Sequence, residues 1–126
     1  MNKDLLTRAD ALKARIQDAW RVLELDARAG EIKALEAESA APDFWSDPER
    51  AKRESQKLAE LRKEFDGWNT LRGDAGELDE LTAIVESEGD ASLEGDIETK
   101  LADLEKRYID LEFTMLFSGK YDASSA

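Results

Sequence analysis

The side chains with the most chemical potential in this sequence are its carboxylates, 30 among 126 residues. Pairs such as Asp79/Glu80 and Glu86/Glu88 place two acids close together, as general acid–base catalysis requires. They lie in highly charged sequence that we expect to be exposed, whereas catalytic carboxylates are usually tuned by burial. The chain has no His and no Cys, so Ser and Thr lack the usual base and no thiolate is available. The residues therefore predict no active site, and we expect this chain not to be an enzyme.

Metal and cofactor sites are not indicated either. No stretch has the Asp-x-Asp-x-Asp-Gly spacing of a calcium loop, and without Cys or His a zinc site has no usual ligands. No two of the seven glycines are adjacent, so no glycine-rich loop can cradle a phosphate. We expect no metal and no cofactor.

The net charge of −12 is concentrated in one segment. Residues 74–105 hold twelve acidic residues and one basic residue, whereas residues 1–73 hold fifteen and fourteen. A phosphate backbone repels such a segment, which argues against sequence-specific nucleic-acid binding by this domain. Two interpretations stay open: a solvated face, which we favour, or a surface that docks a basic protein. The candidates for docking are Asp79, Glu80, Glu94 and Glu98.

Basic residues cluster once, and Arg50, Arg53 and Lys57 are the candidates there for a contact with RNA phosphates. Acidic residues alternate with them, so this region is also expected to form ion pairs between positions i and i+4.

The apolar residues recur at steps of three and four, which is typical of amphipathic helices. Long helices are predicted near 3–24, 48–72 and 91–116, with a break near Gly73 and Gly76. Two shorter helices are expected between them, around Ile32 to Leu35 and Leu78 to Val85. We predict an all-α fold: an antiparallel bundle of three long helices with one or two short connecting helices.

The passage Ala41 to Lys52, "APDFWSDPERAK", differs from the rest of the chain. Pro48 suits the first turn of a helix, and Asp47 suits the N-cap before it. Phe44 and Trp45 stand side by side in the preceding loop. We favour a structural role in which both rings cover the end of the bundle, and a binding hot spot is the alternative.

The organisation along the chain is simple. No apolar run is long enough for a membrane span, and the N-terminus lacks the core of a signal peptide, so we expect no membrane association and a cytoplasmic location. Residues 1–117 are expected to form one helical domain, and residues 118–126 to begin the connection to a further domain.

Two passages resemble the N-terminal domain of bacterial peptide chain release factor 2, a class I release factor. They are "PDFWSDPERA" at 42–51 and "LEKRYIDLEFTMLFSGKYD" at 104–122, in the same order and at a similar separation. Release factor 1 lacks the Phe-Trp loop and the Ser-Gly-x-Tyr-Asp exit, so type 2 is preferred. The resemblance covers about 30–122 well, and residues 1–29 match mainly in helical pattern.

This resemblance implies a role in translation termination. Full-length members read UGA and UAA with a Ser-Pro-Phe tripeptide and promote peptidyl-tRNA hydrolysis with Gly-Gly-Gln, and neither tripeptide occurs here. The chain is therefore expected to be a truncated piece, with no catalytic or codon-reading residue. The family's helical arm reaches the ribosomal stalk base near the ribosomal protein L11, and it communicates with the release-stimulating GTPase.

A free-standing helical adaptor or coiled-coil interaction protein is the alternative function. The genomic reading frame distinguishes the two, since a frame that continues past Ala126 into Gly-Gly-Gln would indicate the release factor.

Overall fold

The computed structural model describes residues 3–89 and 91–117, and within these ranges it contains helices and no strand. The predicted all-α class is confirmed. Four α-helices are present, together with 3₁₀ turns at Phe44–Ser46 and Ala91–Leu93. The α-helices are α1 Lys3–Val22, α2 Leu25–Ser39, α3 Pro48–Glu88 and α4 Glu94–Phe117. The predicted connection at 118–126 lies outside the described residues.

Helix α3 is the central element, and both of its ends carry the local signals expected of them. Pro48 occupies the first turn, and the side chain of Asp47 accepts a hydrogen bond from the backbone N–H of Arg50 at 3.2 Å. The predicted start of this helix is thus confirmed. At the other end Gly89 adopts φ 67°, a left-handed conformation that glycine takes without a steric penalty.

The break predicted near Gly73 and Gly76 is wrong, because α3 continues through both positions for 41 residues. Both glycines are exposed, while Leu71 and Leu78 on either side of them are buried. Each glycine costs about 1 kcal/mol relative to Ala, and a buried Leu contributes roughly 1.5–3 kcal/mol. Packing of the apolar stripe therefore outweighs the weak helix propensity, and the short helix expected around residues 78–85 is part of α3.

Helices α1 and α2 run antiparallel to α3 as two consecutive pieces. Lys13 of α1 meets Asp79 near the end of α3, whereas Arg50 near its start pairs with Glu38 of α2. Between the two pieces Glu24 adopts φ 51°, which turns the chain by one left-handed residue. Helix α2 begins at Leu25, earlier than the sequence pattern predicted.

Helix α4 also runs antiparallel to α3 and covers its second half. Arg107 pairs with Asp74 at 2.9 Å, and Leu111 lies against Gly67, where an added Cβ would approach its Cδ2 to 2.8 Å. The main core therefore lies among α1, α4 and the second half of α3, and it includes Trp68, Leu71, Ile97 and Leu101. A smaller cluster of Ile32, Leu58 and Leu61 holds α2 against the first half of α3. We call α2, the first half of α3 and the turn between them the α2–α3 hairpin.

Phe44 and Trp45 have different environments. Phe44 is 4% exposed at the tip of the α2–α3 hairpin, while Trp45 is 61% exposed and contacts the Phe44 ring edge-on at 4.9 Å between centroids. The expectation that both rings are buried is wrong for Trp45. A 3₁₀ turn of three residues directs adjacent side chains in different directions, so only one of the two can face the helices.

We expect Phe44→Ala to lower the free energy of unfolding by roughly 3–5 kcal/mol, the usual range for a buried Phe. Trp45→Ala is expected to lower it by less than about 1 kcal/mol, because most of the ring is already in water. Urea denaturation followed by circular dichroism measures both. Equal losses for the two variants would contradict this arrangement of the tip.

The continuity of α3 is tested by glycine replacements. An added Cβ meets no atom within 4 Å at Gly73 or Gly76, so Gly73→Ala and Gly76→Ala should each stabilise the chain by about 1 kcal/mol. Gly89→Ala is the matched control and should destabilise by about 1–2 kcal/mol, since its backbone is left-handed. If α3 were broken at these positions, the first two variants would be neutral or destabilising in thermal unfolding.

Candidate functional site

The acidic residue Asp79 is engaged within the fold. Its carboxylate accepts a hydrogen bond from Nζ of Lys13 at 2.7 Å, and this bond raises the pKa of the Lys13 ammonium above its ordinary value. Both side chains remain about half exposed. The pair therefore connects α1 to α3 at the surface, and Asp79 already has a cationic partner.

Glu98 lies near the contact between α1 and α4 that Arg8 and Glu105 form. There Arg8 donates hydrogen bonds to both carboxylate oxygens of Glu105, at 2.6 and 3.3 Å. This bidentate contact is the main cause that raises the pKa of Arg8, and the charge of Glu98 adds to it. Glu98 itself is exposed.

The remaining two acidic candidates occupy further positions. Glu80 is exposed and lines a groove between α3 and α4, and Glu94 is partly buried at the first residue of α4. Asp79 and Glu80 on α3 therefore face different neighbours, α1 and the α3–α4 groove. Glu94 and Glu98, in contrast, lie one turn apart on the same face of α4.

The basic candidates share one flank of α3, because the spacing of Arg50, Arg53 and Lys57 at i, i+3 and i+7 keeps them on one side of a helix. Arg50 is already paired with Glu38. Arg53 and Lys57 are exposed and make no ion pair with the residues that the structure describes. This flank thus offers two available cations.

Several apolar side chains are exposed that were not predicted from the sequence to be so. Ile84, Ile109 and Phe113 are each at least half exposed, as is Trp45 at the hairpin tip. A signal was available for two of them. Ile84 and Ile109 stand directly beside buried Val85 and Tyr108, so each lies one position outside the apolar stripe.

Among residues 3–89 and 91–117, no group of three or more potential ligand residues is placed to hold a metal ion. No helix in these ranges is both long and apolar enough to cross a membrane.

Curated proteins are similar in sequence to this chain over most or all of its length. The chain is 34% identical over 126 residues to a peptide chain release factor 2 of Thermomicrobium roseum, which is all of this chain and 33% of the relative. It is 32% identical over 123 residues to that of Streptomyces avermitilis, covering 98% of the chain and 33% of the relative. With that of Petrotoga mobilis it shares 34% identity over 117 residues, 93% of the chain and 31% of the relative. The chain therefore spans about a third of the length of these relatives.

The chain matches a known family over a longer range than the two passages at 42–51 and 104–122. The model of the PCRF domain matches residues 28–126, which include the Phe44–Trp45 turn, α3 and α4. The similarity to release factor 2 extends through α1 as well. The resemblance seen in the sequence is confirmed, and the chain belongs to the PCRF domain family.

Proposed function

We propose that this chain is the N-terminal ribosome-interaction domain of a translation termination factor. The observation that carries the proposal is the PCRF domain match together with whole-chain similarity to release factor 2. In this role the domain is a non-catalytic arm in the cytoplasm. The full-length factor recognises UGA and UAA and promotes peptidyl-tRNA hydrolysis through other domains. The partners proposed are the stalk base near the ribosomal protein L11 and the release-stimulating GTPase.

A free-standing adaptor is less well supported. An adaptor would share the helical stripes with release factors, because these follow from helix packing alone. It would have no reason to share the hairpin-tip passage and the end of α4 in the same order. The match includes both of these passages, which favours the termination factor.

The charge distribution supports an orientation on the ribosome. The acidic segment 74–105 forms the end of the bundle where α3 finishes and α4 begins, and the hairpin tip lies at the other end of α3. At 1.5 Å per residue, Lys57 on the basic flank and Asp74, the first acidic residue of the segment, are separated by about 26 Å along α3. The Debye length is about 8 Å at physiological ionic strength, so the acidic end does not repel RNA placed at the hairpin. Any RNA contact then comes from the flank with Arg53 and Lys57, and Trp45 adds a ring on which a base can stack.

We expect Arg53→Glu with Lys57→Glu to weaken binding of the chain to ribosomes at least tenfold, because two phosphate contacts are replaced by repulsion. Binding of the parent chain should also fall with salt, with a logarithmic slope of roughly −2 for two phosphates. Co-sedimentation with ribosomes over a salt series measures both.

Lys52→Glu with Lys63→Glu is the matched control, since both residues are exposed and the pair makes the same charge change about 110° further around α3. It should weaken binding clearly less. If both double variants lose binding equally, the contact depends on overall charge and not on the proposed flank. Binding that does not change with salt would contradict an RNA contact.

A second prediction concerns activity. The purified chain should release no peptide above background from ribosomes stalled at UGA, since the chain has no Gly-Gly-Gln tripeptide. The measurement is release of labelled formyl-methionine, with a full-length release factor 2 as the positive control. Release by the chain itself would contradict the non-catalytic role.

A further inference from the structure

A groove of about 690 Å³ lies between the second half of α3 and the first half of α4. Its size falls within the range of roughly 300–1,000 Å³ that is usual for ligand sites. The floor is apolar, and it is formed by Leu78, Leu81, Ile84 and Leu104. Leu78 and Leu104 belong to the core, whereas Ile84 is 50% exposed. The groove therefore presents an apolar surface that residues 3–89 and 91–117 leave uncovered.

The two rims of the groove differ in charge. The α3 rim carries Asp74, Glu77 and Glu80, spaced three residues apart. Asp74 is neutralised by Arg107, while Glu77 and Glu80 make no ion pair with the described residues. The α4 rim alternates in sign, with Lys100 and Asp103 as neighbours along it. An apolar floor beside two unpaired carboxylates is complementary to a ligand that is apolar on one side and cationic at its edge.

We propose that this groove binds a basic amphipathic α-helix of a partner protein. Residues 74–84 of α3 extend for about 16 Å, which matches three turns of a bound helix. Such a helix places apolar side chains at i, i+3 or i+4, and i+7 on the floor, as in other helix-in-groove complexes. Lys or Arg beside that stripe then meets Glu77 and Glu80, and opposite charges across an interface select the partner and its orientation.

Other occupants fit the same groove less well. RNA is repelled by a segment that carries twelve acidic residues and one basic residue. A second copy packed groove to groove would place its own Glu77 and Glu80 against the same acidic rim, so like charges would meet. This inference does not depend on the proposed function, because it rests on the shape, exposure and charge of the groove alone.

A designed peptide provides the test. The probe is a labelled helix of about 14 residues, roughly four turns, with Leu on one stripe and Lys and Arg beside it. Fluorescence anisotropy with the 126-residue chain should show binding, and NMR amide shifts of the isotope-labelled chain should concentrate at residues 77–84 and 99–104. A shuffled peptide of the same composition should bind at least tenfold more weakly.

Variants of the chain separate the groove from general charge attraction. Glu77→Gln with Glu80→Gln should weaken binding about tenfold at low salt, as the loss of two ion pairs implies. Ile84→Ser should weaken it about fivefold through lost apolar contact. Glu60→Gln with Asp66→Asn is the matched control: both residues are exposed on α3 outside the groove, and it should change binding less than twofold.

Any of four results would overturn the proposal. Equal loss in the two charge variants, or an Ile84→Ser variant that binds like the parent, would mean attraction by surface charge alone. The third is a shift map centred elsewhere on the chain. The fourth is a dimer in sedimentation equilibrium that Ile84→Ser dissociates, because a second copy would then be the occupant.

Discussion

The uninterrupted apolar stripe of α3 is the constraint on which the other helices depend. A helix of 41 residues with one apolar side has to be covered along its whole length, and no other helix of the described chain is as long. The cover is therefore divided: α1 and α2 share one side, and α4 covers the second half. Trp68 lies fully buried in this core with its ring edge-on to Tyr108. Its indole N–H has no acceptor among the described residues, which costs about 1–3 kcal/mol. Burial of roughly 150–250 Å² of ring surface contributes more than this cost at ~25 cal/mol/Å².

The division of the cover into α1 and α2 requires a fixed bend, and tertiary contacts hold it. Glu24 adopts a left-handed backbone at a cost of order 1 kcal/mol or more. Across the bend, Trp20 donates its indole hydrogen bond to Asp26 at 3.0 Å. Arg28 donates to the carbonyl oxygen of Leu23 at 3.0 Å and to Glu64 of α3 at 2.8 Å. The Arg28–Glu64 pair is mostly buried, so its geometry is well defined and it anchors the bend to α3.

The stripe of α3 and the bend at Glu24 show which parts of the fold the sequence alone could predict. The stripes of α1, α3 and α4 and the Asp47–Pro48 start were predictable, because helical period and capping are local properties of the chain. The continuity through Gly73 and Gly76 was not, since it depends on what packs against Leu71 and Leu78. The exposure of Trp45 also depends on which direction a three-residue turn gives each ring. For the candidate sites, the position of acidic residues along the chain could not show that Asp79 faces α1 while Glu80 faces α4.

The acidic segment has two roles that its composition does not separate. Asp74, Asp79 and Glu105 pair with Arg107, Lys13 and Arg8, so each joins two helices. Exposed pairs of this kind contribute about 0.2–1 kcal/mol each, which orients neighbouring helices more than it stabilises them. Along the α3–α4 groove, Glu77 and Glu80 make no ion pair with the described residues, and they stand beside exposed apolar surface. An excess of carboxylates at this end of the bundle repels phosphate, and we propose that it also favours cationic protein surfaces.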